Sequence, residues 1–139
     1  MAKKYSIDGR LEDVLALIQV LALHEFSHRS SSGLKKELKK DPISSKEWID
    51  IAKEHQEFFR VVEQKTNSIS LVARHLSKDE NNDRKPLSSE QTQTLLNTAI
   101  ELHDRQLKRE SRWAVLIPVW VAVLGGLFTL IKVLLEMEF

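Results

Sequence analysis

The chain has 139 residues, with 21 basic and 20 acidic side chains and no cysteine. A net charge of +1 argues against a chain that binds polyanions along its whole length, and the lack of cysteine excludes disulfides and thiolate chemistry. The length allows one small domain beside any membrane segment. The first ten residues, MAKKYSIDGR, contain no apolar run, so no cleavable signal peptide is expected.

The first predicted element is a helix that begins at LEDVLALIQVLALHEF, residues 11–26. Its apolar residues recur at helical spacing, and Glu12 and Asp13 lie in the first turn, where the helix dipole favours negative charge. The helix is predicted to end within residues 26–28, because residues 29–33 have the composition of a turn. A helix that is apolar on most of its circumference is expected at the centre of the domain.

The end of this helix carries His24-Glu25-Phe26-Ser27-His28, which matches the pattern H-E-x-x-H. On a helix, two histidines four residues apart can hold one Zn²⁺ while the glutamate activates the bound water. The pattern offers His24 and His28 as metal ligands and Glu25 as the catalytic base of a small zinc metalloprotease. The turn composition after His28 and the lack of a third ligand in a recognisable context oppose this alternative. The preferred interpretation is surface histidines, with no catalytic residue, metal or cofactor.

Two shorter helices follow. The first, residues 33–40, turns its leucines inward and presents a candidate interaction surface for anionic lipid or an acidic partner, formed by Lys35, Lys36, Lys39 and Lys40. The second begins near Ser44, which forms a capping box with Glu47. Residues 45–57 of this third helix hold two lysines against four acidic residues, which opposes contact with nucleic acid phosphates.

The period then changes from helical to alternating. Residues 59–62 and 69–72 are short β-type runs on either side of a polar loop, which predicts a hairpin. Three helices followed by a hairpin are the order of a winged helix. The run EWIDIAKEHQEFFRVVEQKTNSISLVARHL resembles the third helix and wing of winged helix-turn-helix proteins. The resemblance covers residues 10–76 and implies a winged-helix-like domain over 8–76. Because winged helices often read DNA with the third helix, it also implies a membrane-bound DNA-binding regulator as an alternative function.

A charged and polar linker is predicted over residues 77–87, followed by an amphipathic helix over 88–112. The apolar stripe of that helix has two open interpretations: it packs back on the domain, or it forms a short self-associating stalk. The residues of the stripe are Leu95, Leu96, Ala99, Ile100, Leu102, His103 and Leu107.

The last predicted element is a single transmembrane helix over residues 113–135. The chain carries no charge from Trp113 to Ile131, and about 20 apolar residues cross a hydrocarbon core of ~30 Å. Basic residues precede this segment at Lys108, Arg109 and Arg112, so the positive-inside rule places the N-terminal domain in the cytoplasm and the C-terminus on the opposite side. Small residues at four-residue spacing favour close packing of two such helices: Ala122, Gly125, Gly126 and Thr129.

These patterns predict a mainly α, single-pass membrane protein with three parts: a winged-helix-like domain of three helices and a hairpin, a long helix, and the membrane segment into which that helix runs. The expected role is a non-enzymatic, membrane-tethered protein-interaction or adaptor module that self-associates. The chain also resembles small bacterial membrane proteins of unassigned function. The sequence does not identify the partner protein, and it makes nucleic acid an unfavoured partner.

Overall fold

The computed structural model describes residues 4–64 and 67–138. In this part of the chain the helices are α1 (Arg10–Leu23), α2 (Ser31–Leu38), α3 (Trp48–Glu54), α4 (Val72–Leu76) and α5 (Ser89–Met137). The strands are β1 (His28–Ser30), β2 (Phe59–Val62) and β3 (Ser68–Leu71). The protein is therefore mainly helical, with one small sheet. The chain divides into two compact units, Met1–His103 and Asp104–Phe139.

Helix α1 lies at the centre of the first unit, as its apolar pattern predicts. It contributes five fully buried residues at helical spacing: Val14, Leu17, Ile18, Leu21 and Ala22. The helix follows Gly9, whose φ of 75° lies in the left-handed region. A Cβ at this position would lie 2.6 Å from Cγ2 of Ile43. Glycine is therefore required here both by the backbone and by the loop that packs against it.

Two buried charged side chains of α1 hold the loop that precedes α3. Asp13 accepts hydrogen bonds from the N–H of Ile43 at 3.0 Å and from the N–H and hydroxyl of Ser44 at 2.7 Å and 2.6 Å. Arg10 donates from Nε to the same hydroxyl at 2.8 Å and pairs with Glu54. Ser44 therefore anchors the loop and does not cap α3, which corrects the predicted capping box.

The N-terminal cap of α3 is Glu47, in a reciprocal pair with Asp50. The helix ends at Glu54, whereas the sequence predicted a longer helix that includes residues 55–57. Trp48, Ile51 and Ala52 form its inner face, since all three are buried.

The sheet is antiparallel, with the strand order β1-β3-β2. The predicted hairpin is present: β2 has the predicted bounds, and β3 lies one residue earlier than predicted. Ile69 and Leu71 of β3 are fully buried in the core. Strand β1 was not predicted, because three residues are too few to show an alternating pattern. Helix α4, which follows β3 directly, was also missed.

The segment predicted as a linker is packed on the first unit at its distal end. Leu87 is buried, and its N–H donates to the carbonyl of Ala22 at 2.9 Å. Ser88 and Gln91 then form a reciprocal capping box at the start of α5. The first turns of α5 also pack on the core of this unit through Thr92, Leu95, Leu96, Ala99 and Leu102. The apolar stripe therefore follows the first interpretation, a helix packed back on its domain, over this part of its length.

The second unit consists of the remainder of α5. Its large apolar residues between 113 and 135 are each 45–75% exposed. By length and composition, α5 is the one helix among residues 4–64 and 67–138 that could cross a membrane. Pro118 lies within the helix and does not end it. The hydroxyl of Thr129 donates to the carbonyls of Gly125 at 3.1 Å and Gly126 at 2.8 Å, so its polar group is satisfied inside its own helix.

Candidate functional site

The H-E-x-x-H pattern lies outside any helix. His24 is the C-terminal cap of α1 with extended backbone, residues 25–27 form a bend, and His28 belongs to β1. His24 Nδ1 accepts from the N–H of Phe26 at 3.0 Å, and His28 Nδ1 lies 2.9 Å from the hydroxyl of Ser27. The shared helical face on which the zinc metalloprotease alternative depends is therefore absent. Within residues 4–64 and 67–138, no group of three or more metal-ligating side chains is present.

Buried Arg74 of α4 explains why α1 ends before this pattern. Its guanidinium donates to the carbonyls of Leu21 at 3.0 Å, His24 at 2.6 Å and Glu25 at 3.3 Å, and also to the carbonyl of Arg84. The last carbonyls of a helix lack partners within the helix and carry partial negative charge, so a buried cation stabilises them. Burial lowers the pKa of Arg74. Its hydrogen-bond partners are carbonyl oxygens, which leaves its full positive charge without a carboxylate.

The strand pairing brings three polar residues into one row across the sheet. His28 of β1 pairs with Ser70 of β3, and Ser70 pairs with Arg60 of β2. Directly opposed residues project from the same face, which here is the face opposite buried Ile69 and Leu71.

Two further residues cover this row. His75 of α4 approaches the hydroxyl of Ser70 with Nε2 at 2.9 Å, and its ring lies perpendicular to that of His28 with centroids 5.5 Å apart. Arg84 places Nη1 3.4 Å from Nε2 of His28. We name this group the cationic sheet face; it consists of His28, Arg60, Ser70, His75 and Arg84.

Positive charge dominates the electrostatics of the cationic sheet face. Burial lowers the pKa of His28, and the charges of Arg84, Arg60 and Arg74 lower it further. The pKa of His75 is lowered by burial and then by nearby cations, of which Arg84 and Arg60 have the largest effects. Both imidazoles are therefore neutral at pH 7. Within the described residues, no carboxylate pairs with Arg60 or Arg84; the ion pairs nearest along the chain are Lys53–Glu63 and Lys85–Asp79.

An open cavity of about 500 Å³ borders the cationic sheet face. It is lined by the bend 25–27 and by residues 82–86, so Ser27 and Arg84 belong to its wall. The carboxylates of Glu25 and Asp83 also line it. A small ligand can therefore approach Arg84 from this side without any movement of the core.

The predicted lysine surface is exposed, but α2 ends at Leu38, so Lys39 and Lys40 follow the helix and do not belong to it. Lys35 also lines a second open pocket with Lys46 and Trp48. Lys35, Lys36, Lys39 and Lys40 all face solvent, and Lys35 pairs with Asp41 at 2.9 Å.

Helix α3 presents little unpaired positive charge to solvent. Of its seven residues, Trp48, Ile49, Ile51 and Ala52 are buried. Lys53, its one cation, is paired with Glu63 at 2.6 Å.

A second polar cluster in the same unit is closed by a carboxylate. We name it the Glu57 cluster, after its acid. His55 is fully buried with Nδ1 3.1 Å from Glu57, Lys4 pairs with Glu57 at 2.7 Å, and the hydroxyl of Tyr5 donates to it. Burial raises the pKa of Glu57, but the hydrogen bonds from His55, Lys4 and Tyr5 outweigh burial and hold the pKa well below its usual range. Glu57 therefore supplies the counter-charge of Lys4 within this cluster.

The sequence analysis did not find the cationic sheet face. It assigned His28 to the H-E-x-x-H pattern and gave His75 no role, whereas the structure brings the two rings together. Arg60 does alternate with its apolar neighbours in β2, which is the one local signal for its outward direction. The grouping itself depends on β1 and α4, the two elements that the sequence pattern did not reveal.

The small residues predicted to pack between membrane helices lie on α5 as expected from their spacing. A Cβ added at Gly125 or at Gly126 would meet nothing within 4 Å, so both positions leave open space beside the helix. Ala122 and Thr129 are also exposed. Whether this surface pairs with a second copy stays a prediction.

Comparison with protein families, curated proteins and solved structures found no match to this chain. Function therefore rests on the geometry of the chain itself.

Proposed function

We propose that this protein is a non-enzymatic, membrane-tethered interaction module. In this proposal α5 inserts in a membrane and the first unit is the binding domain. The observation that carries the proposal is the apolar segment of α5, which has no charge from Trp113 to Ile131 and no buried side chain in that stretch. Leaving such a surface in water is unfavourable by about 25 cal/mol for each Å² of apolar area. A helix of about 20 such residues matches the thickness of a hydrocarbon core.

We further propose that the first unit is winged-helix-like and used for protein or lipid recognition. The order of three helices followed by the β2–β3 hairpin supports the first part. The burial and charge of α3 support protein or lipid recognition over DNA binding: most residues of α3 are buried, and Lys53 is paired with Glu63. A recognition helix for DNA needs exposed cations and polar side chains to meet phosphates and base edges. The exposed α2 lysines are the complementary surface for an acidic partner or anionic lipid.

The first test concerns insertion and orientation. Lys108, Arg109 and Arg112 flank the apolar segment on its N-terminal side, so the first unit is expected on the cytoplasmic side. The chain is expected to stay with membranes after alkaline carbonate extraction. A protease added to intact cells is expected to leave the first unit uncut. The same protease is expected to degrade the first unit once the membrane has been permeabilised. Release of the intact chain by carbonate contradicts insertion, and digestion in intact cells contradicts the orientation.

The second test concerns self-association through the small residues of α5. Gly126→Leu is expected to weaken association in a membrane two-hybrid assay, because the added side chain separates the helix backbones. Leu124→Ala is the matched control, since residue 124 lies about 200° around the helix from both Ala122 and Gly126. Equal association of the parent chain, the Gly126 variant and the control places the contact elsewhere or favours a monomer.

The element order of the first unit also favours a membrane-bound DNA-binding regulator as a second candidate. The full chain in detergent is expected to bind duplex DNA weakly and without sequence preference, because α3 lacks unpaired positive charge. Saturable, sequence-selective binding at physiological salt in a fluorescence anisotropy titration would replace the adaptor proposal with this alternative.

A further inference from the structure

We propose that the cationic sheet face is a binding site for a phosphate group, carried either by a free phosphate species or by a lipid headgroup. The site would use the guanidinium groups of Arg60 and Arg84 together with the rings of His28 and His75. This proposal stands independently of the membrane tether, because all of these residues lie in the first unit.

The first argument is the unequal distribution of counter-charges. Elsewhere in the first unit, three buried or half-buried cations meet acids: Lys4 meets Glu57, Arg10 meets Glu54 and Arg29 meets Glu37. Buried Arg74 instead meets backbone carbonyls. At the cationic sheet face the arginine and lysine side chains that act electrostatically on the two histidines are Arg60, Arg74, Arg84 and Lys78, with no carboxylate among the groups that act on them. Gathering like charges costs free energy unless an anion relieves it. The missing acid is the feature expected of a site whose counter-charge is a ligand.

The second argument is the chemistry of the donors. A guanidinium presents several N–H groups in a planar fork that matches two oxygens of a phosphate. Two such forks and two imidazoles offer more donors than the two oxygens of a carboxylate can use, whereas a phosphate has three terminal oxygens. Arg60 stands on β2 and Arg84 on the segment after α4, with His28 in the same cross-strand row as Arg60. The donors therefore come from different elements, and Arg84 approaches His28, the residue in the row of Arg60.

The third argument is access. Ser70 is fully buried beneath His75, so it positions that ring and does not meet the ligand. Arg60 is exposed, and Arg84 lies both on the cationic sheet face and on the wall of the open cavity. A phosphate can thus reach both guanidiniums from solvent, with the remainder of its molecule directed into the cavity lined by residues 25–27 and 82–86.

Binding is expected to depend on pH. The groups that face the two histidines are Arg60 of β2, Arg74 of α4, and Lys78 and Arg84 of the following segment, while Glu25 and Asp83 lie in the neighbouring cavity. A bound dianion counteracts the cations and raises the histidine pKa values, so binding takes up protons. Affinity for a probe of constant charge is therefore expected to increase as the pH falls from 7.5 to 6.

The experiment uses the full chain in a zwitterionic detergent. Inorganic phosphate and sulfate are titrated while the imidazole resonances of His28 and His75 are followed by NMR, and sulfate serves as the probe of constant charge. Saturable shifts at both histidines are expected. Arg60→Gln and Arg84→Gln are each expected to weaken binding by about tenfold or more, since each removes a charged hydrogen-bond donor. Lys46→Gln is the control, because Lys46 is exposed, lies outside the cationic sheet face and loses the same charge.

A short-chain phosphatidate is then titrated in the same way to separate the two sources of phosphate. Binding more than about tenfold tighter than inorganic phosphate, with the same dependence on Arg60 and Arg84, assigns the site to a lipid headgroup. Similar affinities assign it to the phosphate group alone. The proposal is overturned if no probe gives saturable shifts. It is also overturned if Lys46→Gln weakens binding as much as the arginine variants, which would indicate diffuse attraction to net charge.

Discussion

The Glu57 cluster and the cationic sheet face are built from similar groups and differ in one respect. Each contains a histidine ring packed edge-on against a second ring, at 4.7 Å between centroids for Tyr5–His55 and 5.5 Å for His28–His75. Each also places cationic side chains near those rings. In the Glu57 cluster the cation, the imidazole and the phenol all converge on one carboxylate. The cationic sheet face has no such acid among the described residues.

This difference separates polar groups that serve the fold from polar groups that can serve a ligand. A buried or half-buried polar network stabilises a protein when its members satisfy one another. A network with surplus donors of one charge contributes less to stability and leaves those donors available. We expect the two clusters to respond in opposite ways when their charge is changed.

The largest effect is expected at Arg74, which holds the end of α1 and thereby the position of His28. Arg74→Met removes the donor from the carbonyls of Leu21, His24 and Arg84, and is expected to lower the free energy of unfolding by about 3–5 kcal/mol, because several charged hydrogen bonds are lost together. Amide hydrogen exchange in α1 and β3 of the full chain in detergent measures this loss. Arg60→Met is the control, since its side chain is exposed. Equal protection in the two variants would contradict the clamping role of Arg74.

A smaller effect is expected from removing the carboxylate of the Glu57 cluster. Glu57→Gln is expected to cost about 1–2 kcal/mol at pH 7, because charged hydrogen bonds are weakened and the site is partly screened by solvent. The folded-state pKa of Glu57 is lowered, so its contribution is present above the unfolded value of about 4.3 and is lost as the pH falls through the folded value.

Unfolding followed by hydrogen exchange from pH 6 down to about pH 2.5 checks this prediction, because the contribution is lost only below the unfolded pKa of about 4.3. The parent chain is expected to lose stability toward the acid end of that range, and the Glu57→Gln variant is expected to lose less. Glu80→Gln is the matched control, because it removes one exposed carboxylate outside the Glu57 cluster and is expected to leave the pH dependence unchanged. A parallel pH dependence in all three chains would show that Glu57 does not carry the acid sensitivity.

The smallest effect is expected from supplying the missing acid. Without a ligand, His28 and His75 have lowered pKa values, so the unfolded chain takes up protons first and stability falls below about pH 6.5. Arg60→Glu replaces a repulsive neighbour with an attractive one and is expected to raise both histidine pKa values. NMR titration of the imidazoles measures these values, with Lys46→Glu as the control for net charge. Unchanged histidine pKa values in the Arg60 variant would show that residue 60 does not act on these rings.

The sequence reveals those parts of the fold that depend on local patterns. The burial of α1, the bounds of β2, the exposed α2 lysines and the apolar segment of α5 each follow from spacing within one element. The cationic sheet face depends on contacts between residues far apart in the chain, such as Arg84 with His28 and Ser70 with β1. The periodicity of a single element does not indicate such pairs. The match to H-E-x-x-H singled out His28, but as a zinc ligand and not as a member of the cationic sheet face. The cap of α3 was misplaced for a similar reason, since Ser44 donates its hydrogen bonds to Asp13, which is distant in the sequence.

The segment between α4 and α5 has the composition of an unstructured connector, yet hydrogen bonds fix it at several points. Asp79 accepts from the N–H groups of Asn81 and Asp83, the carbonyl of Arg84 accepts from Arg74, and the N–H of Leu87 donates to α1. A protease must draw several residues of extended backbone into its cleft before it can cut. Lys78 and Arg84 are therefore expected to be poor trypsin sites in the native protein, and cleavage there would report that the contact of Arg74 with this segment has opened.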